Sequence, residues 1–80
     1  MKYVYIIRSR DEHVGMVATD RRERLLGLLD ENWTENAEAF CGLVKILERS
    51  DDELLRNEGW ELGENLNSDP VLTLHVVPIS

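Results

Sequence analysis

The sequence predicts a small α+β domain, a mostly antiparallel sheet with helices packed on it, in the order β-β-α-(α)-β-α-β. Three observations carry this. Short β-branched and aromatic runs lie near both ends, over residues 3–8, 14–19 and 71–77. Leucines recur at helical spacing after residue 24, and a complete helix-start signal stands at Ser50. At 80 residues the chain holds one core, and residues 1–80 read as a single domain without repeats or linkers.

The first two strands are joined by the polar stretch of residues 9–12, which suits a hairpin turn. Asp20, three residues before Glu23, is a helix start, and Leu25, Leu26, Leu28, Leu29 and Trp33 then form one apolar face. Thr34 is placed to cap a second short helix that carries Ala37, Phe40 and Cys41 inward and stops at Gly42. Residues 43–47, short and partly β-branched, read as a strand. Ser50 and Glu53 form a capping box, with Asp51 and Asp52 favourable in the first turn. Gly59 and Gly63 leave two ends open for this helix. It runs to Asn65, or it stops near Gly59 and Trp60 and Leu62 begin an extended piece. Residues 67–70 are a loop before Pro70. The last strand sets Leu72, Leu74 and Val76 on one side and Thr73 and His75 on the other.

Composition narrows the function. The apolar runs are too short to cross a bilayer, and no apolar segment with a cleavage site follows the N-terminus, so the expectation is a cytoplasmic domain with no membrane partner. The single Cys41 excludes an internal disulfide and reads as a buried small hydrophobe. His13 and His75 read as surface residues, and two histidines with one cysteine make a poor zinc site. The net charge of −7 is uneven: residues 1–24 carry +2 and residues 25–80 carry −9. Such a field repels nucleic acid and attracts basic protein surfaces.

The residues Tyr3-Val-Tyr-Ile-Ile-Arg-Ser9, a polar turn and His13-Val-Gly15 resemble the opening hairpin of GIY-YIG nucleases. Arg24-Leu25 sits near the place of that family's arginine, and residues 44–48 and 50–67, with Glu58-Gly-Trp-Glu-Leu62, resemble its third strand and its glutamate helix. The likeness spans residues 3–67 in motif order. It implies a minimal metal-dependent endonuclease in which Tyr5 and Arg24 assist attack by water on a phosphodiester and Glu58 holds Mg²⁺. His13 stands where the family has a tyrosine and would replace it as general base.

The residues themselves favour a different reading, a non-enzymatic protein-binding domain without a cofactor. Asp51, Asp52, Glu53, Glu58, Glu61 and Glu64 crowd one stretch whose only internal base is Arg56, and Trp60 lies among them. Acids around an aromatic anchor suit a basic surface on another protein. The expected partner contact is therefore Asp51, Asp52, Glu53, Trp60, Glu61 and Glu64, with Trp60 either an exposed anchor or part of the core. Glu58 is either the metal ligand or a rim carboxylate paired with Arg22, Arg24 or Arg56. Small acidic domains of this kind resemble the inhibitors by which phages and mobile elements block nucleic-acid-binding defence machinery. A homodimeric structural subunit is a third possibility, to be recognised by an apolar interface.

Overall fold

The structure, a computed structural model, describes residues 2–9, 15–33, 37–57, 59–63 and 72–79. Strands β1 (Lys2–Ser9), β2 (Met16–Thr19), β3 (Trp60–Glu61) and β4 (Leu72–Ile79) form one antiparallel sheet in the order β2-β1-β4-β3. Helices α1 (Leu25–Asn32), α2 (Ala37–Ile46) and α3 (Asp51–Leu54) pack on one side of it. The α+β class and the antiparallel sheet are as the sequence predicts.

Side-chain alternation decides which side of the sheet is buried. On β1, Tyr5, Ile7 and Ser9 point inward. Their partners on β4 are Val76, Leu74 and Leu72, and all six are buried. Cross-strand partners share a face, so the two central strands supply one continuous apolar floor. Leu25, Leu29 and Trp33 from α1, Ala39, Leu43 and Ile46 from α2, and Leu54 from α3 close over it.

The element order needs one correction. Residues 43–46 are not a strand; they are the second half of α2, which passes through Gly42 without stopping. The β-branched Val44 and Ile46 suggest a strand, but the residues that become buried, Ala39, Leu43 and Ile46, recur at helical intervals, and burial of that stripe outweighs local preference. The inward face is also out of phase with expectation: Ala37, Phe40 and Cys41 are exposed, so Cys41 is not a buried hydrophobe. Gly42 has a positional role of its own. A Cβ built there would lie 2.7 Å from the carbonyl carbon of Leu62 and closer still to its oxygen, so α2 rests directly on the backbone that follows β3.

The helix starts divide. Ser50 caps α3 as expected, its Oγ accepting the Glu53 N–H at 3.4 Å. Asp20 does not cap α1. The Arg21 N–H instead donates to Thr19 Oγ1 at 3.1 Å, and a 3₁₀ turn over Arg22–Arg24 leads into the helix. Of the two ends open to the capping-box helix, the structure adopts the short one: α3 is a single turn, and Trp60 lies in an extended strand. The Thr34 cap, the turn residues 10–12, Val71 and the loop at 67–70 lie outside the described residues.

Candidate functional site

Two tyrosines on β1 reach the start of α3. Tyr5 OH donates to Asp51 Oδ1 at 3.0 Å, and Tyr3 OH donates to Asp52 Oδ1 at 3.3 Å. Residues two apart on a strand share a face, so the pair Tyr3 and Tyr5 is matched to the pair Asp51 and Asp52. Asp51 is also held by Arg22, whose Nη1 lies 3.0 Å from the same carboxylate oxygen. The other guanidinium nitrogen donates to the carbonyls of Leu47 and Arg49, just past the end of α2. Arg22 therefore bonds two carbonyls of the turn between α2 and α3 and neutralises the first acid of α3.

This arrangement changes the tyrosine chemistry. Burial, the hydrogen bond to Asp51 and the charge of that carboxylate push the Tyr5 hydroxyl up to about 12, with Arg22 opposing. Tyr3 is raised as well, by desolvation first and then by Asp52. At neutral pH Tyr5 is thus a hydrogen-bond donor whose proton is held by Asp51. Asp51, only half-exposed, is occupied by two partners.

The remaining expected contact residues divide between two surfaces. Asp52 and Glu53 are exposed on α3. Glu53 pairs with Arg49 at 3.5 Å, four residues earlier and on the far side of the Ser50 cap. Trp60 is half-buried. Its indole N–H donates to the Leu54 carbonyl at 2.9 Å, and the Arg49 guanidinium lies 5.2 Å from its ring centroid. It thereby ties β3 to the end of α3 and is not a free anchor. Trp60 pairs with the inward-facing Leu74, so alternation sends Glu61, paired with Thr73, to the opposite side of the sheet. The acids of residues 51–61 therefore do not form one helical face. Glu58, Glu64 and His13 lie outside the described residues.

Of the residues that the nuclease resemblance singles out, Tyr5 lies in the cluster and Arg24 is exposed at the end of the 3₁₀ turn. The arginine that reaches the partner of Tyr5 is Arg22. In sequence Arg22 reads as part of a solvated turn, and neither Tyr3 nor Arg49 stands out for a role of its own. The available signal was the Tyr-x-Tyr spacing, since a tyrosine buried through its ring still needs an acceptor for its hydroxyl. His75, expected at the surface, is half-buried. Its Nε2 lies 3.2 Å from Thr73 Oγ1, and Gly59 packs so tightly on its ring that a Cβ there would come within 2.8 Å of Cε1.

A polar hollow of about 430 Å³ opens beside α3, bordered by Asp52, Glu53, Arg56 and Trp60. Among the described residues no three His, Cys, Asp or Glu side chains are grouped to hold a metal ion, and no helix is long and apolar enough to cross a membrane. No protein-family model, characterised protein or solved structure matches the chain.

Proposed function

We propose that this chain is a non-enzymatic binding domain that docks, through the acidic corner at α3, onto a basic surface of a nucleic-acid-binding protein and so blocks it, as an inhibitor of defence machinery does. The observation that carries the reading is the clamp beneath that corner. Tyr5 and Arg22 both hold Asp51, which fixes α3 against the sheet and holds Asp52 and Glu53 outward in a set geometry. Charges held in place before binding lose little freedom on association, and acids grouped on one corner attract a basic partner from a distance. The overall charge of −7 acts in the same direction and disfavours direct binding of nucleic acid. The contact comprises Asp52 and Glu53, with Asp51 as their support and Trp60 holding the adjacent strand.

The test uses purified DNA-binding defence nucleases as probes, with affinity measured by calorimetry at low and high salt and with duplex DNA as competitor. Binding should weaken with salt and be displaced by DNA. The double variant Asp52→Lys/Glu53→Lys should lose about tenfold or more in affinity, since two attractive rim charges become repulsive. Binding unchanged by salt or by this variant would overturn the proposal. Mg²⁺-dependent cleavage of DNA by the chain itself, abolished in Glu58→Gln, would establish the nuclease alternative in its place.

A further inference from the structure

A groove runs between α2 and β3. It encloses about 590 Å³, within the range of small-molecule sites. Gly42, Ile46 and Leu62 form its floor: Ile46 and Leu62 are buried, and the missing side chain of Gly42 lets the helix and the strand meet there. Trp60 and Gly63 stand on the strand side. On the helix side the exposed Glu38, Cys41, Lys45 and Arg49 follow one another at steps of three or four residues along α2 and the turn after it, so they share one rim.

The charges on that rim are sorted. Residues 25–80 hold three bases against twelve acids, and two of the three bases, Lys45 and Arg49, border this groove at one end. Lys45 makes no ion pair or hydrogen bond among the described residues. Arg49 is positioned by Glu53 at 3.5 Å and by the Trp60 ring, whose centroid lies 5.2 Å from its guanidinium. The two acids that border the groove lie elsewhere. Glu38 is seven residues before Lys45 on α2, about 10 Å along the axis. Glu61 alternates to the outer side of the sheet. An apolar floor with cations gathered at one end selects a ligand divided in the same way.

We infer that this groove is a binding site for a small amphipathic carboxylic acid. Its carboxylate lies between Lys45 and Arg49, and its apolar chain runs over Gly42, Ile46 and Leu62 towards Glu38. Arg49 already faces one carboxylate, that of Glu53, and its planar fork matches a second. A medium-chain acid spans the distance of about 10 Å from Lys45 to Glu38. Glu38 repels the charged head, so the ligand lies in one direction only.

Octanoate is the probe, and heteronuclear NMR of the whole chain reads where it binds. The shifts should saturate with a dissociation constant of about 0.1–1 mM, the range open to so small a ligand. They should concentrate at the amides of Gly42, Lys45, Ile46 and Leu62. Octanol, which lacks the charge, and acetate, which lacks the chain, should each bind at least about tenfold more weakly. Lys45→Glu, a change at an exposed position, should weaken octanoate at least about tenfold and leave octanol unchanged. Octanoate should also slow the alkylation of Cys41 by iodoacetamide, since the one cysteine of the chain lies on the rim. No saturable shifts, shifts centred on the outer face of the sheet, or octanol bound as tightly as octanoate would each overturn the inference. So would octanoate binding untouched by Lys45→Glu. Asp52→Lys/Glu53→Lys should retain octanoate binding, which keeps this outcome separate from the partner-binding proposal.

Discussion

Replacing Gly42 with alanine tests why α2 runs through a glycine. The added methyl would sit 2.7 Å from the Leu62 carbonyl carbon and 3.2 Å from its Cα. These are main-chain atoms of a wholly buried residue whose N–H bonds Leu72 O at 2.9 Å, so they cannot swing aside as a side chain tip would. The helix must lift off the sheet edge. Overpacking of this kind costs about 1–3 kcal/mol, and rigid backbone places Gly42 at the upper end. Alanine's better helix preference recovers about 1 kcal/mol. The net loss is about 2 kcal/mol, a fall in Tm of roughly 8–16 °C for a domain of this size. Gly27 is the control: it is exposed within α1, and a Cβ there meets nothing within 4 Å. Gly27→Ala should therefore stabilise by about 0.5–1 kcal/mol. Urea and thermal unfolding followed by circular dichroism would measure both. A Gly42→Ala protein as stable as the wild type would refute the direct helix-to-backbone contact.

Ser50→Ala should cost about 1 kcal/mol through loss of the α3 cap, read as a lower urea midpoint. Arg22→Met should cost about 2 kcal/mol, because it strips a half-buried Asp51 of its cation and frees two carbonyls. Arg24→Met, at an exposed position, should stay within about 0.5 kcal/mol of wild type, and equal effects at the two arginines would contradict the clamp. The Tyr5 hydroxyl gives a pH signature. Its folded pKa of about 12 exceeds the ordinary 10.0, so its contribution is complete below pH 10 and is lost as pH rises towards 12. Stability should fall by about 1–3 kcal/mol across that window, and Tyr5→Phe should flatten the fall.

The parts of this fold legible in the sequence are those decided by neighbours along the chain. Leu72, Leu74 and Val76 alternate cleanly, Leu25, Leu29 and Trp33 share a helical stripe, and the Ser50 cap depends on an amide three residues away. What was not legible depends on residues far apart. Gly42 looks like a helix stop until Leu62 is seen lying against it. The stretch 43–47 suits a strand on composition, and burial of Leu43 and Ile46 in the shared core, in step with Ala39, makes residues 43–46 part of a helix. The acidic run reads as one face only if α3 is long; the indole of Trp60 on the Leu54 carbonyl closes it after one turn. The clamp at the candidate site joins residues 5, 22 and 51, and no local pattern links an arginine in a turn to a tyrosine two elements earlier.

The pairing of Lys2 with Ile79 sets the order in which the molecule can assemble. β1 and β4 are the central strands of the sheet, yet they lie at opposite ends of the described chain. During synthesis the hairpin and the helices emerge first, with half of the floor on which those helices must rest still missing. Closing the central pair carries the loop entropy of nearly the whole chain, so folding is limited by this late, long-range step. Until Leu74 and Val76 have cleared the ribosome, Ile7 and Tyr5 have cross-strand neighbours on β2 alone. The nascent chain then exposes a long aromatic strand edge, which is the stage at which this protein is most prone to aggregate.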